Sequence, residues 1–179
     1  MTGLTQAEAT QLKGGHRIDF TGSVPGFRQM TACGEEFAAL VRNGGKPSAV
    51  VVIDRAIGAS FKEPALVSDH VNLTGTSPLI GPNHPCGERF PVVQGIYVDC
   101  LSHLSRVVVA GLKPGVVPTA ADVSRLKEFG VDCSCYNLIP AMLLAAHAGW
   151  KVLGIVVPEG ATLPPHVVDE IDELTGTKP

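Results

Sequence analysis

Aromatic residues are scarce in this chain: Phe, Trp and Tyr make up 5% of 179 residues. A surface that stacks nucleotide bases needs such rings, so a base-stacking platform is a poor first reading. Charge is also thin, at 17%, where roughly 25% is average. Fourteen Lys and Arg oppose 17 Asp and Glu for a net −3, which leaves no basic footprint for nucleic acid. No apolar run approaches the roughly 20 residues of a membrane span, and the first eleven residues have no apolar segment of the signal-peptide kind. The five cysteines, Cys33, Cys86, Cys100, Cys133 and Cys135, are odd in number and irregular in spacing. That is not the pattern of a disulfide framework. These absences predict a cytoplasmic protein with no nucleic-acid partner and no membrane partner.

Hydrophobic residues make up 45%, enough for one folded core at this length. Residues 1–15 are polar and end in Gly-Gly, which predicts a flexible arm before a single domain over 16–179. Segments 16–20, 49–53, 65–68, 107–110, 131–134 and 151–157 read as short strands. Several of them are continuous apolar runs, as in strands buried on both faces. Apolar spacing predicts a helix over 31–43, after a Gly-Pro turn at 22–26. Thr119 and Asp122 predict the capped start of a second helix that Gly130 stops. Residues 138–148 are apolar nearly all round and read as a buried helix, and 165–174 as an acidic amphipathic one. Strands alternating with helices predict an α/β domain.

Several motifs are absent. No GxGxxG or GxxxxGK[ST] phosphate loop follows a strand, HExxH and paired CxxC are missing, and there is no GxSxG elbow. Cys133-Ser-Cys135 is too tight for the usual zinc spacing and reads as buried thiols. No metal and no cofactor are expected. Three places could carry chemistry. Asn137, after Tyr136, stands at the start of the buried helix, where free N–H groups can hold an anion; it could equally be a simple N-cap. Asp54 and Arg55 follow an apolar strand, where ligands of α/β sheets bind; a solvated loop ion pair is the bland alternative. Asp69 precedes His70 and could orient its imidazole as acid or base; a structural histidine is the alternative. His147 reads as core, and His84 and His103 are open.

Residues 67–83, VSDHVNLTGTSPLIGPN, closely resemble a segment of the trimeric purine nucleoside phosphorylases. Further matches follow in order. GERFP at 87–91 is similar to that family's G-D-R-F-P. Tyr97, Asp99, Ser102 and His103 fall where it has an Asp-Ala-Tyr region. Residues 109–132 and 138–155 resemble its later helical segments. The resemblance spans about 15–158. It implies the phosphorylase/hydrolase-like three-layer α/β/α fold, with a mixed, largely parallel sheet shortened at the N-terminus. It also implies a homotrimer and a small-molecule substrate.

The family's active-site residues do not carry over. Its N-terminal strand and G-S-G-x-G loop are expected to be missing. Ser23 and Pro25 replace its phosphate Arg and site His. Asp54 and Arg55 fall within its T-N-A-A-G-G motif, and Val117-Pro118-Thr119 replaces the F-E-T whose Glu grips the purine. Cys135-Tyr136-Asn137 replaces the G-M-S that holds sugar and phosphate, and Glu159-Gly160 the T-N beside the leaving base. Phe90, which in the family enters a neighbour's sugar pocket, is kept. Losing one oxyanion-type donor costs ~10²–10³ in rate, so phosphorolysis is not expected. Three functions stay open. The first is a repurposed enzyme acting on a modified nucleoside or other small metabolite. Its pocket would hold Asp54 and His70 as catalytic groups, with Arg55, Tyr136, Asn137, Phe90 and Glu159 as binding groups. The second is a non-catalytic binding or assembly subunit. The third is a phosphorylase with a rearranged site.

Overall fold

The computed structural model describes residues 15–21, 49–82 and 87–176. Residues 1–14 of the 1–15 arm, the turn at 22–26, the helix at 31–43, and His84, Ser23, Pro25, Cys33 and Cys86 lie outside the described residues. In chain order the elements are β1 (His16–Asp19), β2 (Ala49–Ala56), β3 (Ala65–Leu73), β4 (Ser105–Leu112), α1 (Ala120–Glu128), β5 (Cys133–Cys135), α2 (Leu138–His147), β6 (Lys151–Pro158) and α3 (Pro165–Thr175). This is the expected mixed α/β arrangement.

The sheet order is β1-β2-β6-β3-β4-β5. All neighbours run parallel except β6 and β3, which pair antiparallel through two residues each. β2 and β6 are neighbouring interior strands, buried along nearly their whole length, which is why their sequences show no alternation. Just past β2, Ile57 exchanges two backbone hydrogen bonds with Ser134 of β5, at 2.8 and 2.9 Å. The far strand of the sheet thus curls back to meet β2.

The curl creates an inner and an outer face. Val50, Val52 and Ala56 of β2 share the inner face with Val67, Val109, Cys133, Cys135 and Val156, and α2 packs there through Leu138, Ile139, Met142 and Ala145. Gly111 of β4 lets α2 approach: a Cβ there would lie 2.5 Å from Ile139 Cγ1. On the outer face Val51, Ile53, Leu153 and Ile155 meet Val167 and Ile171 of α3. α1 carries the predicted capping box. Thr119 Oγ1 accepts from Asp122 N at 3.2 Å, and Thr119 N donates to Asp122 Oδ2 at 2.8 Å. Those bonds hold the Asp122 carboxyl below its ordinary pKa.

Two strand boundaries differ from the sequence reading. β3 continues five residues past Ser68, to Leu73, because pairing with β4 holds polar residues that alone read as loop. β2 continues through Ala56, so Asp54 and Arg55 lie inside a strand rather than after it.

Candidate functional site

Successive residues of a strand face opposite ways. Asp54 continues the inner-face series of Val50 and Val52, and Arg55 the outer-face series of Val51 and Ile53. The structure therefore parts two residues that the sequence reading put together. Arg55 Nε donates to Thr21 O at 3.0 Å, and its Nη1 donates to Pro158 O at 3.2 Å and Ala161 O at 2.8 Å. It ties together the chain ends that follow β1 and β6.

Asp54 is 2% exposed and sits against the N-terminal end of α2. Its Oδ2 accepts from Asn137 N at 2.6 Å and Leu138 N at 2.9 Å. Its Oδ1 accepts from Arg55 N at 2.9 Å and Asn137 Nδ2 at 3.2 Å. A helix start has orphan N–H groups and a positive dipole end, and here a carboxylate from another strand satisfies them. Asn137 holds the N-cap position without capping through its own side chain. A carboxylate has about four lone-pair sites, and all are engaged. Burial raises the Asp54 pKa, against the pull of these four hydrogen bonds. Asp54 thus satisfies the first amides of α2, the role of a helix cap supplied from another strand.

Cys135 is fully buried beside this end of the helix, and burial together with the Asp54 charge lifts its thiol well above its usual range. Burial pushes Cys133 up to about 12. Both are free, buried thiols, as read from the sequence. Tyr136 is buried and its hydroxyl donates to Val116 O at 2.7 Å. Burial first, and Asp54 second, raise its pKa.

His70 reaches the inner face through an irregularity. The β3–β4 register shifts between Val67 and Asp69, leaving Ser68 as an extra residue whose Oγ donates to Val107 O at 3.1 Å. Such a bulge re-aims the side chains beyond it. His70 is thereby paired with Val109, an inner-face residue. Its ring stands edge-on to Tyr97 with centroids 5.7 Å apart. Tyr97 lies over Gly154, where a Cβ would come within 3.3 Å of its Cε1. Burial lowers the His70 pKa, against the pull of Asp69, and raises that of Tyr97. Asp69 Oδ1 accepts from the backbone N of His70 at 2.8 Å, a bond to the main chain and not to the imidazole. Among the described residues three buried side-chain polar atoms have no hydrogen-bond partner: His70 Nδ1, Tyr97 Oη and Asn137 Oδ1. Tyr97 was passed over as a site residue in the sequence. Only the contact with His70, which the bulge creates, brings it out.

The remaining candidates lie apart. Phe90 is 86% exposed, and Glu159 is exposed in the turn after β6. His103 pairs with Glu170 at 3.6 Å on the surface. His147 is buried, with Nδ1 2.8 Å from Glu88 O. Among the described residues no three His, Cys, Asp or Glu come together as a metal site, and no helix is long and apolar enough to cross a membrane.

A curled mixed sheet with α2 on one face and α3 on the other defines a three-layer α/β protein. Compared with models of known families the chain matches none, but individual relatives are clear. It is 32% identical over 148 residues to purine nucleoside phosphorylase 1 of Bacillus subtilis, covering 71% of this chain and 55% of that protein. It is 32% identical over 128 residues to the protein of the same name from Geobacillus stearothermophilus, covering 62% and 46%. Among solved structures, a Schistosoma purine nucleoside phosphorylase in complex with guanosine superposes with a TM-score of 0.62 at 18% identity, over 75% of this chain and 63% of that one. Schistosoma mansoni purine nucleoside phosphorylase in a complex with BCX-34 gives 0.63 at 19%, over 75% and 61%. The chain is thus similar in sequence and in fold to the purine nucleoside phosphorylases, and it spans about half the length of the curated relatives it matches.

Proposed function

We propose that this chain is a member of the family that does not carry out phosphorolysis and acts instead on a small metabolite in the old nucleoside pocket. One observation carries the reading: the chain's own Asp54 carboxylate occupies the N-terminal amides of α2. In the resembling family, the segment matching Cys135-Tyr136-Asn137 holds sugar and phosphate. A phosphate brought there would face a buried like charge. At ~4 Å and an effective dielectric near 20, each unit of charge costs about 4 kcal/mol, or roughly a thousandfold in affinity. Pro118, in the place of a purine-gripping Glu, and Ser23, in the place of a phosphate Arg, support the same reading. His70, with a neutral imidazole on the inner face, is the remaining acid–base candidate. Tyr136 and Asn137 line the helix end, with Glu159 on the turn after β6.

The exposed Phe90 and its exposed apolar neighbour Val92 support a homotrimer in which this edge meets another subunit. The buried thiols suit a reducing cytoplasm. The test of the main reading is release of free base from inosine or guanosine in the presence of phosphate. We expect release no faster than the protein-free blank. Turnover at ~1–10³ per second would refute the reading and restore a phosphorylase with a rearranged site. A second reading, a non-catalytic binding or assembly subunit, is favoured by one fact. Asp54, Arg55 and the Tyr136 hydroxyl are all spent on the protein's own backbone. A crystal soaked in a metabolite mixture that shows no density beside Asn137 would move the choice to it.

A further inference from the structure

We propose that the N-terminal end of α2 recognises an uncharged hydrogen-bond donor, a hydroxyl or amide group of a small molecule, with Asn137 Oδ1 as its acceptor. The inference rests on the small-molecule reading above and specifies the ligand's polarity.

The Asn137 side chain is fixed at one end. Its Nδ2 donates to Asp54 Oδ1 at 3.2 Å, and the reverse orientation would set an amide oxygen against a carboxylate. The carbonyl end therefore points away from Asp54. It is buried there, in a residue 5% exposed, with no partner. An unsatisfied buried acceptor costs about as much as a lost hydrogen bond, so the position calls for a donor.

The groups that could instead have drawn an anion are occupied. The N–H groups of Asn137 and Leu138 donate to Asp54 Oδ2, and that of Arg55 to Oδ1. The Tyr136 hydroxyl donates to Val116 O. The Arg55 guanidinium is held by three carbonyls away from the inner face. The helix end thus offers an acceptor and a nearby negative charge, the reverse of an ordinary helix N-terminus.

Acetate and acetamide are nearly the same shape, and differ in that one is an anion without a donor and the other a neutral donor. Each is titrated into the ¹⁵N-labelled full chain at matched ionic strength. The readout is the Asn137 side-chain NH₂ and the backbone amides of Asn137 and Leu138, with inorganic phosphate as a third probe. We expect acetamide to move these signals saturably, and acetate and phosphate to leave them in place. Asn137→Ala should weaken acetamide binding by about 2–10-fold, the worth of one neutral hydrogen bond. Asp54→Asn, checked for folding by circular dichroism, should let acetate in. Acetamide that fails to saturate, or that binds Asn137→Ala as it binds the parent, overturns this inference alone. Acetate or phosphate saturating the same amides of the parent chain overturns it together with the exclusion of phosphate.

Discussion

Removing the Asp54 side chain is the most informative perturbation available. Asp54→Ala deletes four hydrogen bonds at once and leaves two N–H groups at the start of α2 without their acceptor. Each buried orphan costs about 1–3 kcal/mol, and the lost cap itself is worth about 1–2. Relief of a buried charge offsets part of this, so the net loss should be about 3–5 kcal/mol. At a urea slope of about 2–3 kcal/mol per molar, the unfolding midpoint falls by roughly 1.5 M. The pH dependence carries a definite sign. Burial raises the folded pKa of Asp54 above the model-compound value of 3.8, so the folded state binds the proton more tightly than the unfolded one. The stability this group contributes is then fully present below 3.8 and declines as pH rises through the raised folded value. The gap between parent and Asp54→Ala midpoints should narrow on going from acid toward neutrality. A gap that instead widens with pH would show that the four hydrogen bonds outweigh burial. A midpoint within 0.3 M of the parent would refute the capping role.

Gly111→Ala should lower thermal stability by about 1–3 kcal/mol, because the new methyl meets Ile139 at 2.5 Å and overpacks the seat of α2; calorimetry reads it. Arg55→Ala should destabilise the fold by about 1.5–3 kcal/mol through the carbonyls it releases while leaving acetamide binding at Asn137 unchanged, since the two face opposite sides of the sheet. Loss of binding with an unaltered melting temperature would contradict that separation. His147→Ala should reduce stability and leave ligand binding intact, as its ring is buried against the chain at Glu88.

The elements whose sequence signals are local were legible. The Thr119–Asp122 box set the start of α1, and the apolar runs of β2, β6 and α2 appeared within a residue or three of their bounds, because each needs only its own composition to be seen. The site was legible in part. Asp54 and Asn137 do meet, but Arg55 does not join them, since the reading ended β2 at Ile53 and so gave no face to the next two residues. His70 was singled out for its neighbour Asp69, whereas its placement comes from Ser68, an extra residue visible only once β4 is paired alongside. Nothing in residues 131–135 signals that β5 will turn back to Ile57. That contact is a property of sheet curvature and not of any one segment.

The position of β6 between β2 and β3 bears on how the chain is made. β2 and β1 can associate early, and β3 and β4 can associate soon after. The strand that joins the two pairs lies about a hundred residues downstream of β2. During synthesis the facing edges of β2 and β3 stay unpaired until residue 158 has left the ribosome, although the Ile57–Ser134 bridge can already link the two halves. Such non-local closure is slow, and unpaired strand edges attract aggregation. Chains interrupted just before Lys151 should therefore depend on chaperones, and those extended past Pro158 should be released from them.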